Sequence, residues 1–288
     1  MPVFRLSCEL VRSKTWIRII AIALLIAPFL VAAWGFGIEP GMLVVRHVTM
    51  RVPGEPDGLR IAVLSDLHIG SPHVGLDKLP RIVERTNAEN PDLTVLLGDF
   101  VTGGPGGRHN ADFVEPEKIA AGLKNLRAKL GVYAVLGNHD WWYDGERVGR
   151  ALRDAGIPAL ENQAVRLPNG RQAFWLGGIA DLWTREPDIA GTLRQVTTED
   201  PVILLTHNPD IFPEVPARAS LTLAAHTHGG QVRLPVIGTL VTTSRLGYVA
   251  GEFGERGRRL FVTTGIGTSI LPVRFGVPPE IVILTLVP

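Results

Sequence analysis

Residues 60–68 read RIAVLSDLH, and this stretch indicates the class of fold. Four apolar residues beginning at Ile61 are followed, after Ser65, by two polar side chains, Asp66 and His68. A short continuous apolar run is typical of a strand that is buried on both faces of a sheet. We therefore predict a strand over residues 60–65 that ends where the first polar motif begins.

The same arrangement, an apolar strand followed directly by polar residues, occurs twice more in the first half of the chain. Gly98-Asp99 follows one apolar run, and Gly137-Asn138-His139-Asp140 follows another. Predicted elements alternate in the order strand 60–65, helix 76–87, strand 93–97, helix 119–130 and strand 132–136. Such alternation indicates parallel βαβ units, and open sheets of this kind bind ligands at the carboxyl ends of their strands.

The second half of the chain is richer in strands. Residues 164–167 and 172–179 flank Asn169-Gly170, a pair that is typical of a tight hairpin turn. Two further apolar runs lead directly into His207 and His226. The remaining strands are predicted at residues 202–206, 221–225, 259–264 and 280–286. We predict an α/β fold with two mixed sheets packed together and helices on the outside.

Composition excludes several classes of protein. The 288 residues include 29 basic and 28 acidic side chains, for a formal net charge of +1. This balance argues against a nucleic-acid-binding protein, in which basic residues are in clear excess. Hydrophobic residues make up 45% of the chain, too many for a disordered protein. The single cysteine, Cys8, excludes an intramolecular disulfide and a cysteine-rich metal site.

An uncharged apolar segment covers residues 19–38, near the amino terminus. As a helix it would be roughly 30 Å long, about the thickness of the hydrocarbon core of a bilayer. Basic residues concentrate before this segment, so the positive-inside rule favours an extracytoplasmic location for the rest of the chain. We predict a basic tail at residues 1–18, a single membrane-spanning anchor at residues 19–38, and one folded domain at residues 39–288.

Other interpretations of the apolar segment stay open. Val31-Ala32-Ala33, after Pro28, fits the cleavage site of a secretory signal peptide, which would remove the segment. A helix that lies in the membrane interface, or one buried in the protein core, would also be apolar. A buried helix, however, rarely lacks polar residues over such a length.

The polar motifs at the strand ends contain most of the histidines. Each motif alone is a weak signal, because Asp, Asn and Gly are ordinary turn residues and a single histidine is often structural. Five of the eight histidines nevertheless belong to these motifs: His68, His139, His207, His226 and His228. Imidazole, carboxylate and carboxamide ligands without thiolate suit divalent Mn, Fe, Zn, Co or Ni, and the pattern does not decide among them.

The ordered set Asp-x-His, Gly-Asp, Gly-Asn-His-Asp, His and His-x-His resembles the calcineurin-like metallophosphoesterase superfamily, over residues 58–288. Within the superfamily, the chain resembles the membrane-associated branch of YaeI/YkuE-type phosphodiesterases. The similarity to that branch includes Glu39-Pro40, HTHGGQ at residues 226–231, GIGTS at residues 265–269 and LPVRFG at residues 271–276.

The resemblance implies a four-layer α/β/β/α sandwich that holds two divalent metal ions. The implied ligands are Asp66, His68, Asp99 and His228 for one metal, and Asp99, Asn138, His207 and His226 for the other. His139 is implied as the catalytic histidine beside the leaving group, because an imidazole can protonate a departing oxygen near neutral pH. Two metals about 3.5–4 Å apart would activate a bridging hydroxide for attack on phosphorus. No substrate-binding residues are identified.

The resemblance further implies a hydrolase that cleaves phosphodiester or pyrophosphate bonds. It implies a lipid-linked substrate, membrane lipid as a partner, and an activity like that of UDP-2,3-diacylglucosamine hydrolase. An extracytoplasmic or cell-wall phosphodiester is the alternative substrate, and it agrees better with the charge bias around the anchor. A non-catalytic metal-binding scaffold is a further alternative, although every ligand position of the family pattern is filled. We expect a monomer without a nucleic-acid partner.

Several residues near the motifs have two interpretations. The glycine-rich stretch at residues 103–107 is either a lid over the substrate or a surface loop. Trp141-Trp142-Tyr143 either lines a pocket or packs under the turn, and Arg274 either binds phosphate or pairs with a carboxylate. Ala225 stands where the family usually has glycine. The Asp-Arg-Gly motif of protein phosphatases is absent, which argues against a phosphoprotein substrate.

Overall fold

Two β-sheets form the centre of the protein, for which a computed structural model describes residues 3–54, 56–103, 112–170, 172–255 and 257–288. The strand order in the first sheet is β1 (Val44–Arg51), β13 (Glu280–Val287), β2 (Arg60–Leu64), β3 (Leu93–Leu96) and β4 (Val132–Ala134). The order in the second is β11 (Gly251–Glu255), β12 (Arg258–Val262), β8 (Leu221–Ala224), β7 (Val202–Leu205), β6 (Phe174–Gly178) and β5 (Gln163–Leu167). A separate hairpin consists of β9 (Arg233–Leu234) and β10 (Gly238–Thr239). Both large sheets contain parallel and antiparallel pairs, which confirms the predicted mixed sheets.

Helices cover the outer face of each sheet. The first sheet is covered by α2 (Leu79–Ala88), α3 (Pro116–Leu123) and α5 (Gly145–Asp154). The second is covered by α6 (Ile189–Arg194) and a 3₁₀-helix at Pro209–Glu214. A third hydrophobic cluster lies between the two sheets, with Val63 on one side and Leu223 on the other. The layers are therefore α/β/β/α, as the family resemblance implied.

Strand β2 shows why the apolar runs become central strands. Ile61 and Val63 face the second sheet, whereas Ala62 and Leu64 face the covering helices. All four side chains are buried, because successive residues of a strand point to opposite faces and both faces of this sheet are covered. The strand therefore lacks the polar alternation that is typical of a solvent-exposed sheet.

An apolar helix precedes the sheets. α1 covers Val3–Ala33 and continues as a π-helix at Trp34–Ile38 and a 3₁₀-helix at Glu39–Gly41, so the predicted basic tail is helical from Val3. The part at Ile20–Gly41 is long and apolar enough, by length and composition, to cross a membrane. Leu24, Leu25 and Phe29 are exposed. Their exposure contradicts the interpretation of a helix buried in the protein core.

The carboxyl end of this helix is fastened to the domain. The N–H of Arg274 donates to the carbonyl of Gly35 at 2.9 Å. The buried carboxylate of Glu39 accepts the N–H groups of Gly276 and Val277 at 3.0 and 2.6 Å. The helix therefore joins the first sheet through hydrogen bonds to residues 274–277, and not only through the chain itself.

Some predicted boundaries are wrong. Helix α3 ends at Leu123, not at residue 130, because the side chain of Asn87 donates to the carbonyl of Asn125 and accepts the N–H of Arg127. Helix α4 (Asn138–Tyr143) starts within the Gly-Asn-His-Asp motif. Strands β1, β9, β10 and β11 and helices α4, α5 and α6 were not predicted. The other predicted strands lie within two residues of their observed bounds, and of the stretch 103–107 only Gly103 lies among the described residues.

Candidate metal centre

All eight predicted site residues lie two to five residues beyond the end of a strand. In the first sheet, Asp66 and His68 follow β2, Asp99 follows β3, and Asn138 and His139 follow β4; in the second, His207 follows β7, and His226 and His228 follow β8. Strands β2, β3 and β4 are parallel to one another, as are β7 and β8. The carboxyl ends of both sets meet at one edge of the molecule, where ligands bind in sheets of this kind.

The first group of potential metal ligands consists of Asp66, His68 and His228. The Nε2 atoms of His68 and His228 lie 3.2 Å apart, and Nε2 of His228 lies 3.4 Å from Oδ1 of Asp66. All three side chains are buried. Donor atoms from residues far apart in the sequence therefore converge on a volume the size of one ion.

The second group consists of Asp99, His207 and His226. Oδ2 of Asp99 lies 3.3 Å from Nε2 of His207 and 3.5 Å from Nε2 of His68, which belongs to the first group. Nδ1 of His226 lies 3.1 Å from Nε2 of His207. One carboxylate oxygen thus lies between the two groups, so that both groups form a single polar cluster.

Several buried polar atoms in this cluster lack hydrogen-bond partners. The Oδ1 atom of Asn138 and both carboxylate oxygens of Asp66 accept no hydrogen bond from the residues that the structure describes, although these side chains are at most 1% exposed. Buried polar groups normally have partners, and leaving one unpaired costs about 1–3 kcal/mol. Oxygen atoms of this kind fit a divalent cation, which would satisfy them.

Hydrogen bonds outside the cluster orient two of the histidine rings. Nδ1 of His207 lies 2.7 Å from the carbonyl oxygen of Leu97, and Nδ1 of His139 lies 3.0 Å from that of Thr102. A carbonyl only accepts, so each Nδ1 carries the proton and donates it. In both rings Nε2 is therefore left for other partners, an arrangement that is typical of histidines in metal centres.

Most of the imidazoles in the cluster are neutral. Burial lowers the pKa of His68 and of His226 to about 3, and it lowers the pKa of His228 well below the usual value. Neutral rings keep a free lone pair on one nitrogen, which is the form that binds metal ions.

His207 and Asp99 behave differently because they form a buried pair. Burial opposes a charge on His207, but the carboxylate of Asp99 outweighs it and raises the pKa of His207 to about 10. Burial would likewise raise the pKa of Asp99, but His207 and the neighbouring rings hold that pKa well below its usual value. The metal-free ring of His207 is therefore protonated at neutral pH, and a metal ion that binds it would displace that proton.

The backbone is unusual at these residues. Five of them have φ between 42° and 70°: Asp66, His68, Asp99, His226 and His228. Residues with a side chain in this left-handed region cost about 1–2 kcal/mol each, and such strain is concentrated at functional sites. Ala225, where the family usually has glycine, is not among the described residues with positive φ, so its methyl group causes no such strain.

Two glycines and one buried carboxylate explain the Gly-Asp and Gly-Asn-His-Asp motifs. A side chain on Gly137 would collide with Asp99, and Gly98 has φ +91° and packs against the backbone of Gly137. The carboxylate of Asp140 accepts the N–H groups of Gly137, Asp99 and Phe100 at 2.8–2.9 Å. Asp140 therefore orients the loop after β3, while burial and the nearby Asp99 raise its pKa to about 7.

Two exposed tryptophans lie at the mouth of the cluster. The ring of Trp142 lies 4.9 Å from that of His139, and the ring of Trp183 lies 4.2 Å from that of His226, edge-on. The Trp141-Trp142-Tyr143 motif therefore divides between its two predicted interpretations. Trp142 borders the cluster, as a pocket residue would, whereas Trp141 and Tyr143 pack against the core.

Sequence reasoning missed Trp183 and the buried Asp181 that positions it. The carboxylate of Asp181 accepts the N–H groups of Trp183 and Thr184 at 3.1 and 3.0 Å. One signal could have indicated this turn. Asp181 follows an apolar strand, β6, just as the predicted ligands follow theirs.

Neither predicted interpretation of Arg274 is correct. Its fully buried guanidinium donates to the backbone carbonyls of Thr264, Gly265, Gly267 and Val277. The N–H of Gly267 in turn donates to the carbonyl of Asp66. Burial lowers the pKa of Arg274 to about 10, so the group stays charged at neutral pH. Arg274 thus supports the loop behind the first group and does not reach it.

Replacing Arg274 with methionine is expected to destabilise the fold. The change leaves four buried carbonyls without their charged donor, which should cost roughly 3–5 kcal/mol and lower the melting temperature by about 10 °C. Arg259→Met is the matched control, because Arg259 lies near the surface and pairs with Glu252, whose side chain is also partly exposed. Thermal unfolding of the full chain in detergent gives the comparison. Equal melting temperatures for the two variants would contradict the role given to Arg274.

Comparison with known proteins identifies a family and several relatives. The family model described as calcineurin-like phosphoesterase matches residues 59–230. The chain is 31% identical to YkuE of Bacillus subtilis, described as an uncharacterized metallophosphoesterase, over 91% of this chain and 93% of YkuE. It is 32% identical to the phosphodiesterase YaeI of Escherichia coli, over 88% of this chain and 93% of YaeI. A transmembrane protein with a metallophosphoesterase domain from Danio rerio is 32% identical over 84% of this chain and 56% of its own length.

Proposed function

The chain belongs to the calcineurin-like phosphoesterase family, and on that premise we propose that it hydrolyses phosphodiester or pyrophosphate bonds with two divalent metal ions. One observation carries this proposal. Oδ2 of Asp99 lies within 3.5 Å of ring nitrogens from both groups of potential ligands, which is where a carboxylate shared by two cations would be needed. Nitrogen and oxygen donors of this kind accept Mn, Fe, Zn, Co or Ni.

The proposed ligands follow the two groups. Asp66, His68, Asp99 and His228 would hold one ion, and Asp99, Asn138, His207 and His226 would hold the other. When bound, two such cations would activate a water molecule and neutralise the charge of a phosphate. The neutral oxygen of Asn138 completes the second group without adding negative charge, which would repel that phosphate.

His139 is proposed as the proton donor to the leaving oxygen. Its Nδ1 donates to Thr102, so that Nε2 is the nitrogen left to face a substrate. Its backbone N–H donates to Oδ1 of Asp99 at 2.9 Å, which positions the backbone of His139 relative to the shared carboxylate. The ring is only partly buried and contributes, with His68, to the wall of a small cavity.

The substrate is proposed to be lipid-linked. Exposed apolar side chains border the cluster on two sides, with Trp142 and Trp183 on one and Ile270 and Leu271 on the other. An amphipathic phosphodiester could place its phosphate at the metals and its acyl chains against these residues. The finer proposal is an activity like that of UDP-2,3-diacylglucosamine hydrolase, and the alternative is an extracytoplasmic or cell-wall phosphodiester.

We propose that residues 19–38 anchor the domain at residues 39–288 to a membrane, with the basic tail at residues 1–18 inside. This arrangement favours the extracytoplasmic substrate, because a nucleotide-linked lipid is met on the cytoplasmic face. A reporter fused after Pro288 determines the side of the membrane. We further propose that the protein acts as a monomer on membrane lipid, without nucleic acid.

The full chain in detergent, supplied with Mn²⁺, is expected to hydrolyse bis-p-nitrophenyl phosphate. EDTA should abolish turnover and added Mn²⁺ should restore it. A second probe, a p-nitrophenyl phosphodiester with a long alkyl chain, tests the lipid-linked proposal through its kcat/KM. An intact, metal-loaded protein that hydrolyses neither probe would instead support the non-catalytic scaffold.

Replacing Trp142 and Trp183 with alanine should lower kcat/KM for the alkyl probe by roughly 10-fold, which corresponds to about 1.4 kcal/mol of lost contact. The soluble probe should be affected much less. Trp16→Ala, an exposed tryptophan on α1, is the matched control. Equal losses for both probes would contradict a role of this aromatic pair in binding acyl chains.

A further inference from the structure

The helix α1 enters the domain at the edge that carries the metal centre. β1 is parallel to β13, and β13 is antiparallel to β2, so β1 starts at the edge where β2 ends. The last turns of the apolar helix therefore lie beside the carboxyl ends of the strands. This placement is not imposed by the chemistry, since an anchor could equally have joined the opposite edge.

Two loops are hydrogen-bonded to the segment that holds this helix. The β9–β10 hairpin is joined to it by bonds from Arg233 N–H to the carbonyl of Phe275 and from Phe275 N–H to that of Gln231, both at 2.8 Å. The loop at residues 269–272 is joined through Gln231, the residue whose carbonyl accepts the N–H of Phe275. The side chain of Gln231 accepts the N–H of Ser269 at 2.6 Å. Hydrogen bonds thus connect the end of the helix, the hairpin and the loop to one another.

The hairpin region and the loop at residues 269–272 expose a set of apolar side chains, here called the apolar rim. The apolar rim consists of Val236, Ile237, Leu240, Val241, Ile270 and Leu271. Each side chain is more than half exposed, and Val236 is fully exposed. Scattered exposed apolar residues are ordinary, but a contiguous patch usually marks an interaction surface.

The charge around the apolar rim selects among partners. No acidic residue occurs between Glu214 and Glu252, or between Glu255 and Glu280. Arg233 and Arg245 are exposed beside the rim. One carboxylate from another part of the chain, that of Asp210, lies nearby and accepts the N–H of Arg245 at 2.7 Å. Exposed apolar side chains flanked by exposed arginines are typical of surfaces that lie on membranes containing anionic lipid.

The depth of the rim follows from its contacts with the helix. Gly35, within the apolar part at Ile20–Gly41, accepts the N–H of Arg274, so residues 273–275 lie level with the last turns of that helix. The hairpin and the loop are bonded to these residues or to their immediate neighbours. A bilayer that contains the helix would therefore reach the rim as well.

We propose that the apolar rim inserts into the interfacial layer of the same membrane that the helix α1 enters. This proposal deepens the proposed function and depends on its membrane anchor. Because Ile270 and Leu271 also line the cavity beside His68 and His139, the metal centre then opens at the lipid surface. A lipid-linked phosphodiester could reach the metals without leaving the membrane.

Site-specific fluorescence quenching tests this proposal. In the full chain with Cys8→Ser, single cysteines replace Ile237 or Val241 and are labelled with bimane. The labelled protein is placed in vesicles of phosphatidylcholine and phosphatidylglycerol, with or without doxyl-labelled phosphatidylcholine. Both labels should lose emission when the doxyl lipid is present.

Asp57→Cys is the matched control, because Asp57 is exposed in the turn before β2, at the opposite edge of the sheet. Its label should keep its emission. The proposal would be overturned if doxyl lipid lowered the emission of the two rim labels no more than that of the label at residue 57. Self-quenching between rim labels of neighbouring chains would also overturn it, since the rim would then contact a second copy. Turnover of bis-p-nitrophenyl phosphate by the same labelled proteins reports separately on the proposed function.

Discussion

Asp99→Asn is expected to lose both bound metal and turnover. Among the described acidic residues, Asp99 alone has an oxygen close to ring nitrogens of both groups of potential ligands. Its Oδ2 lies 3.5 Å from Nε2 of His68 and 3.3 Å from Nε2 of His207. An amide offers one oxygen and one N–H₂ group that cannot bind a cation. Removing a residue that only hydrogen-bonds to a metal ligand typically lowers activity by ~10–100-fold. Because Asp99 is itself a proposed ligand, we expect turnover to fall further than that.

Metal content after Mn²⁺ loading and turnover of bis-p-nitrophenyl phosphate are the two measurements. Asparagine tolerates the positive φ of 57° at this position, so the variant should keep its circular dichroism spectrum. Asp57→Asn is the control for loss of an aspartate at the surface. A variant that keeps full metal content would show that Asp99 is not shared between two ions.

His139→Ala should keep its metals and lose turnover. The ring is close to the first group, with its centroid 4.7 Å from that of His68, but Nδ1 is already used by Thr102. Loss of a general acid costs typically ~10²–10⁴-fold. The loss should depend on the leaving group, because p-nitrophenolate needs little protonation whereas an alkoxide needs it fully.

The comparison therefore uses a p-nitrophenyl and an alkyl phosphodiester, each with the wild-type chain and the variant. His47→Ala is the control, because His47 lies on β1, outside the cluster, and pairs there with Glu89. A loss of equal size for both leaving groups would point to a role in substrate binding. Unchanged turnover would remove the catalytic role altogether.

The predictable part of this fold is the part that depends on local pattern. Ile61 to Leu64 are all buried, so an uninterrupted apolar run was enough to predict β2 and its polar end. That polar residues lie at one edge of the sheets was foreseeable because they follow parallel strands, whereas their division into two groups came from the family resemblance. Their convergence in space agrees with the implied ligand sets, although the binding of ions by these residues stays a prediction.

Features that depend on distant partners were not predictable. β1 pairs with β13, as in Val44 with Glu280, and nothing near Val44 indicates that partner. The end of α3 depends on the side chain of Asn87, in another helix. The contact between Trp183 and His226 joins segments after β6 and β8, two strands that are not neighbours in the sheet. Arg274 binds backbone carbonyls, which have no signature in the sequence.

The junction between helix and domain has a consequence for how such an enzyme would find its substrate. Only Met42 and Leu43 separate the last helical turn from β1, and two residues span about 7 Å at most. Leu43 is buried, and Glu39 is bonded to the domain, so the chain offers no tether on which the domain could swing. With the helix in a bilayer, the metal centre would stay at one height and move only by lateral diffusion. Its encounter rate would then follow the number of substrate molecules per unit area of membrane, and not their number per volume of solution.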